Sequence, residues 1–275
     1  MTTTTRTRRP AAGQFLAVTG HAVRERLPLA GVVAVIVAGL GVMTGSVWPS
    51  LRGTFEDLPT SFSDTIGKVL AGADMTTPEG WMNAETLSAV APMGIIAVAV
   101  ISMVRAVAGE EQDKTLGVLL STPVSRTTFM LAKVTAMTVH ALAVVAGLAI
   151  GMVAGSAIGD LGLTASGIVA ACVHLGLLGL FFGGVAAVVG AATGDRRLSS
   201  AISAGLAVLA FVISAFAPLI DSIADAARIS PWYYFAGKNP LVNGIDVSDA
   251  AVLAIGFVVL TTLSVLVHRR RDLRG

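Results

Sequence analysis

The chain is 275 residues long, 54% apolar before its 30 glycines are counted, and only 13% charged. Soluble domains carry about 25% charged residues and about 45–50% apolar ones with glycine included, so this composition excludes a water-soluble globular body and makes lipid the solvent. A single cysteine, Cys172, excludes an internal disulfide framework and a cysteine-built zinc site.

In chain order, the Thr- and Arg-rich opening, residues 1–13, has little to bury and is expected to be disordered. Over residues 14–28, Phe15, Leu16, Thr19, Ala22, Val23 and Leu27 recur at helical spacing against Arg24 and Arg26. This predicts an amphipathic interfacial helix on the inner leaflet that Pro28 turns into the membrane, with a plain solvated tail as the alternative. A bilayer core about 30 Å thick takes roughly 20 apolar residues per helix. Six stretches qualify, at about 29–48, 87–107, 132–154, 167–192, 199–220 and 250–268, within a transmembrane domain of residues 29–268. The first is too long for a signal-peptide core and is read as a span. A basic tail, residues 269–275, closes the chain. The fold class is therefore an all-α polytopic membrane protein of six transmembrane helices; the short alternating strands of a barrel are absent from the sequence.

Charge sets the orientation. Segments on the side of both termini hold 15 Lys and Arg against 6 Asp and Glu, and those on the other side hold 4 against 11. The positive-inside rule then places both termini in the cytoplasm. Trp48, Trp81, Trp232, Tyr233 and Tyr234 all fall at or beyond outer span ends, where amphipathic rings favour the headgroup layer. Loop one, residues 49–85, is long for a connector, and Phe62, Ile66, Val69 and Leu70 predict an outer amphipathic helix within it.

Catalytic signatures are missing. No GxxxxGK[ST] phosphate loop occurs, since Gly67-Lys68 and Gly237-Lys238 lack its frame, and neither HExxH nor GxSxG is present. Glu110-Glu111 resembles the paired glutamates of membrane prenyl proteases, but the Arg expected four residues on is Thr115. The chain is read as a non-enzyme that holds no metal or cofactor of its own. His140 in the third span and His174 with Cys172 in the fourth are candidates for the lining of a translocation path or for a soft metal. Hydrogen-bonded core groups are the bland alternative, because buried polar groups in lipid find helix partners. Gly147, Gly151, Gly155 and Gly159 stand four apart, as do Gly179 and Gly183, and Gly41 and Gly45. Such faces let helix backbones touch, either inside one bundle or between subunits.

The second cytoplasmic loop is the most informative. Glu110, Glu111 and Asp113 gather where a helix would begin, which suits the positive end of its dipole. Leu116, Leu119 and Leu120 follow at i, i+3 and i+4, before Ser121-Thr122-Pro123 stops the helix. An exposed apolar face on a charged stub is what a helix-in-groove contact asks of its donor; a turn resting on the membrane is the alternative.

The segment "AGEEQDKTLGVLLSTPVSR" resembles the coupling segment of the ABC-2-type permeases, the membrane subunits of ATP-binding-cassette type 2 exporters. "TTPEGWMNAETLSAVAPM", "ISPWYYFAGKNPLVNGID" and the terminal "HRRRDLRG" extend that likeness from about residue 14 to the end. The resemblance implies a six-helix permease that pairs with a second copy or a paralogue and with two cytoplasmic ATPase subunits, which bind the ATP and Mg. It implies ATPase coupling through Glu110, Glu111, Thr115, Leu116, Leu119, Leu120 and Pro123, with Arg126 and Lys133 beginning the return helix. Asp195, Arg196 and Arg197 would form a second, smaller contact. Short extracytoplasmic re-entrant helices would lie between spans five and six, over Pro231, Trp232, Tyr233, Tyr234, Pro240 and Gly244.

Membrane lipids are the other expected partner, and no nucleic acid is expected. The location read from these features is a cell membrane, and the ratio of 15 Arg to 4 Lys points to a bacterial one. Rival functions are a non-transporting membrane anchor or sensor for an ATPase and a secondary transporter. The latter would be expected to carry mid-span acids that this sequence lacks.

Overall fold

The structure is a computed structural model that describes residues 11–56, 74–109 and 125–270. Six of its helices are long and apolar enough to cross a membrane, and no strand occurs among the described residues. The spans are α1 (Ala11–Glu56), α2 (Pro78–Gly109), α3 (Arg126–Gly159), α4 (Ala165–Thr193), α5 (Arg196–Phe216) and α8 (Val247–Arg270). Between α5 and α8 lie 3-10 turns over Ala217–Leu219 and Asp221–Ile229, then two short helices, α6 (Pro231–Ala236) and α7 (Pro240–Asn243). Loop-one residues Phe62, Ile66, Val69 and Leu70 fall outside the described residues.

Helix starts follow local chemistry. Ser125, Thr164 and Asp195 each precede a span in extended backbone and accept a hydrogen bond from the N–H three residues on, at 3.0, 3.1 and 2.8 Å. Asp246 does the same for Asp249 at 2.9 Å. These bonds satisfy donors that the first helical turn leaves open, a stringent need where water is scarce. Asp160 and Gly194 close α3 and α4 in the left-handed region.

On α5 large apolar side chains face outward and small ones inward. α5 buries Ser199, Ser203, Ala207 and Ala210 while Leu198, Ile202, Leu206, Leu209 and Phe216 are exposed. That inversion of soluble amphipathicity is what lipid solvation produces, because leucine gains nothing by leaving hydrocarbon whereas small residues let helices approach. Inside the molecule are 61% of the apolar windows of α2 and α4, against 11% for α8. α4 is thus the post around which the other helices stand.

The glycine repeats have a definite partner. α1 and α3 run parallel, and a Cβ added at Gly147, Gly151, Gly155 or Gly159 would fall 2.4, 2.4, 2.2 and 2.0 Å from the carbonyl oxygens of Ala34, Ala38, Gly41 and Gly45. Backbone meets backbone along four turns, so this stripe packs within the chain. Gly179 and Gly183 likewise admit Ile95 of α2 and Met137 of α3.

Two sequence expectations are corrected. Pro28 does not turn the chain: α1 is one unbroken helix of 46 residues that begins at Ala11, inside the expected tail, and carries Pro28 and Pro49 within it. Proline removes one backbone bond, but neighbouring side chains in a helical membrane bundle can supply donors nearby. His140 does donate to α1, but to the Val23 carbonyl; the carbonyl that Pro28 deprives of its usual partner is that of Arg24, which is exposed. The second correction concerns the tryptophans. Trp48, Trp81 and Trp232 are all buried in protein and do not face the headgroup layer. Trp48 and Trp81 pack with ring centroids 6.3 Å apart, and the Trp81 indole donates to the Thr44 carbonyl at 2.9 Å. Their amphipathic rings serve the seam between α1 and α2.

Candidate functional site: the basic end and the opposite cap

At one end of the bundle stand Gly109, Arg126 and Asp195 to Arg197, the described residues nearest in sequence to, or themselves among, those expected to couple to a partner. Glu110, Glu111, Thr115, Leu116, Leu119, Leu120 and Pro123 lie outside the described residues, but both flanks of that segment are placed. Its entrance is Gly109, the last residue of a wide π-type turn, Arg105–Gly109, that ends α2. A Cβ there would sit 3.5 Å from Nε and 3.7 Å from Nη2 of Arg196. The structure therefore brings the second expected contact, Asp195 to Arg197, to the mouth of the first. Asp195 holds the start of α5 through its cap on Leu198, Arg196 lies against α2, and Arg197 is exposed.

The exit is clamped to the last span. Arg126 Nη1 reaches the carbonyls of His268 and Arg269 at 3.4 and 3.5 Å, among the last acceptors of α8, where a cation also suits the negative end of the helix dipole. One turn on, Phe129 stacks with His268 at 6.0 Å and 20°, and the buried Lys133 ammonium lies 5.2 Å from the Phe129 ring centroid. Attractive cation–ring geometry of this kind is strengthened when water is excluded. His268 was missed by sequence reasoning. A signal was available: Arg126 sits at the positive end of its own helix dipole, which disfavours a cation unless another element holds it.

The histidines and Cys172 go to separate partners. The buried His140 contacts Ser102 Oγ of α2 through Nδ1 and the Val23 carbonyl of α1 through Nε2, both at 3.0 Å. A carbonyl only accepts, so Nε2 carries the proton, and in the neutral ring Nδ1 accepts from the Ser102 hydroxyl. His174 Nδ1 donates to the Tyr234 carbonyl at 3.0 Å, while its buried Nε2 has no hydrogen-bond partner among the described residues. The Cys172 thiol faces the Val145 carbonyl at 3.9 Å. No group of three His, Cys, Asp or Glu side chains that could hold a metal occurs among the described residues.

The opposite end is closed by α6 and α7, which pack on α4. Ser230 caps α6 through the Trp232 N–H at 3.2 Å and donates to the Ala210 carbonyl at 2.7 Å, with Pro231 preset for the first turn. Trp232 meets Phe211 and Phe235 edge-on at 4.9 and 6.2 Å; Tyr233 and Tyr234 pair at 5.4 Å. Pro240 opens α7, whose Leu241 carbonyl would lie 2.1 Å from a Cβ at Gly167 of α4. Gly244, at φ +80, ends α7 in a backbone shape that favours glycine. Lys238 then ties the pair to the last span, its ammonium 2.9 Å from Asp246, 3.1 Å from Asp249 and 3.1 Å from Ser248 Oγ. The Ser248 hydroxyl, the Asp249 N–H and the Lys238 ammonium hold the Asp246 carboxyl well below the usual range, and Asp246, followed by Asp249, raises the Lys238 ammonium.

Compared with known proteins, the chain matches a family model described as the C-terminal domain of the multidrug efflux system permease Rv1217c, over residues 17–269. No curated protein matches it.

Proposed function

The chain belongs to that permease family, and from this premise we propose that it is the membrane subunit of an ATP-driven exporter whose nucleotide is bound by a separate cytoplasmic ATPase. A multi-pass permease supplies a path and needs no catalytic group of its own. Movement has to come from a partner, and the basic end offers the means of receiving it.

The observation that carries this reading is the double anchoring of the segment that starts at Glu110. Its entrance lies against Arg196 of α5, and its exit is tied through Arg126 to the end of α8. Force applied there acts on four spans at once. The ATPase would dock on the Leu116, Leu119 and Leu120 face and on Glu110 and Glu111, with Asp195, Arg196 and Arg197 as its second contact. Driving a two-state permease from 1:99 to 99:1 takes about 5.5 kcal/mol of differential binding, which a rigid contact spread over several helices can transmit. A full transporter would hold two ATPases, with their ATP and Mg, and two permeases, the second a copy or a paralogue, in a bacterial cell membrane.

Membership of a multidrug efflux permease family points to amphipathic drugs as cargo. His174, whose Nε2 has no partner among the described residues, supports a polar group on the route, whereas His140 spends both ring nitrogens on neighbouring helices. α6 and α7 would close the outer end of that route.

The test is substitution of the segment in vesicles that contain both subunits. Glu111→Lys or Leu119→Asp should abolish ATP-driven drug flux while the spans remain inserted and the ATPase still hydrolyses ATP. Undiminished flux in both variants would refute the docking proposal.

A further inference from the structure

His174 has more hydrogen-bonding capacity than the fold uses. It is 2% exposed, and its Nδ1–H donates to the Tyr234 carbonyl of α6 at 3.0 Å. A carbonyl only accepts, so this bond fixes the neutral ring with its proton on Nδ1 and a bare lone pair on Nε2. That second nitrogen is buried and has no hydrogen-bond partner among the described residues. Tying α4 to α6 takes one donor, which an asparagine would supply equally well. A buried acceptor left open is destabilising, and within a bilayer no bulk water relieves it. His140 shows the contrast, because both of its nitrogens are bonded.

The surroundings of His174 indicate what kind of donor fits. It stands seven residues from Gly167 and seven from Phe181, so each lies about 20° from the next on one line of α4 at 100° per residue. Along that line Gly167 lies against the Leu241 carbonyl of α7, and Phe181 packs on Gly256 of α8. α8 runs parallel to α4, and the contacts of Gly256 with Phe181 and of Leu260 with Gly184 set a step of 75 to 76 residues between the two helices. That step brings Asp249 level with His174. Asp249 is 5% exposed and shares the Lys238 ammonium with Asp246, so one cation stands against two carboxylates. Phe181 and Phe257 line the same seam, and ring faces attract organic cations. An open acceptor, a surplus of negative charge and aromatic walls suit a protonated amine on an apolar body. α8 is also the least enclosed span, with 11% of its apolar window inside the molecule, and is therefore the wall of this seam that parts most easily.

We propose that His174 is a specificity-determining residue on the outer part of the route. When α8 parts from α4, Nε2 accepts a hydrogen bond from the N–H of a protonated-amine amphiphile, and Asp249 supplies the countercharge. This rests on the export reading above and adds to it the class of cargo. The closed bundle leaves Nε2 open and the occupied one satisfies it. A cationic amphiphile with an N–H is thus favoured over a quaternary ammonium compound of equal charge and similar shape.

The test is equilibrium binding to the full chain in phosphatidylcholine nanodiscs, with empty nanodiscs subtracted and two radiolabelled probes. Dodecyldimethylamine is protonated at neutral pH and carries one N–H, whereas dodecyltrimethylammonium has the charge and no N–H. The unsubstituted protein should bind the amine more tightly by about twofold to tenfold, the range for one net hydrogen bond. His174→Phe keeps a ring without an acceptor, and His174→Asn keeps a donor for Tyr234 with nothing at the Nε2 position; both should bring the ratio to one. Asp249→Asn should weaken both probes and leave their ratio in place. Equal or undetectable binding of the two probes by the unsubstituted protein, a ratio that survives either His174 variant, or undiminished binding in Asp249→Asn would overturn the proposal. So would loss of both probes alike in the two His174 variants, which would give this residue a purely structural role. Neither ATPase nor ATP is present, so the ratio is read independently of export: ATP-driven flux that fails while the ratio holds would overturn the exporter and keep the site.

Discussion

Gly155→Ala tests the seam between α1 and α3 with one methyl group. Its Cβ would lie 2.2 Å from the Gly41 carbonyl oxygen and 3.0 Å from the carbonyl carbon. Both are backbone atoms, so no rotamer change can relieve the contact. Restoring an ordinary separation of about 3.4 Å requires the helices to part by about 1.2 Å, and a gap of 0.5–1 Å already forfeits roughly a quarter to a half of each dispersion contact beside it. Overpacking of this kind costs about 1–3 kcal/mol. Alanine is also the better helix former by about 1 kcal/mol, and Gly20→Ala supplies the control, because a Cβ there meets nothing. Subtracting the two variants leaves the contact alone. Thermal unfolding in one detergent should place Gly155→Ala below Gly20→Ala by about 2–12 °C, at roughly 2–4 °C per kcal/mol. Equal midpoints would refute the backbone-to-backbone reading of the glycine stripe.

Other outcomes follow from the ends of the bundle. Asp195→Ala should cost about 1 kcal/mol through loss of the cap on Leu198, with Asp195→Asn nearly neutral; a deficit in both variants, read by the same melts, would implicate the charge instead of the cap. Lys238→Met should loosen α6 and α7 against α8, seen as faster hydrogen exchange over residues 231–243. The pH response of that tie has a definite sign. The lowered Asp246 carboxyl contributes above its unfolded value and is lost as pH falls through its folded one, and the raised Lys238 ammonium contributes below its unfolded value and is lost as pH rises through its folded one. Exchange over 231–243 should therefore stay flat from pH 5 to 9 once corrected for intrinsic rates, and a step within that window would contradict the pairing.

What the sequence makes legible follows from the range of each signal. Span number depends on apolar length alone, and the six stretches reappear as six helices, with α3 running from Arg126 to Gly159 around an expected 132–154. Glycines four apart announce a close helix contact, but Gly155 and Gly41 are 114 residues apart, and nothing local says which helix fills the groove. Pro28 was misjudged because its local tendency to break a helix is opposed by the packing of α1 along α3, whose glycines lie more than a hundred residues away. The tryptophans misled for a similar reason, since a ring at a span end suits a headgroup layer and a protein seam equally well. At the basic end, the sequence marks Arg126 as the start of the return helix and Asp195 to Arg197 as a second, smaller contact. The carbonyls of His268 and Arg269 were not legible, because backbone acceptors carry no sequence signature.

The measurement that bears most directly on the account is drug flux in sealed vesicles that contain this permease with its ATPase partner. Flux that requires ATP, stops with vanadate and continues after an ionophore collapses the proton gradient is the expected result. Flux that persists without the ATPase and vanishes with the proton gradient would contradict an ATP-driven permease.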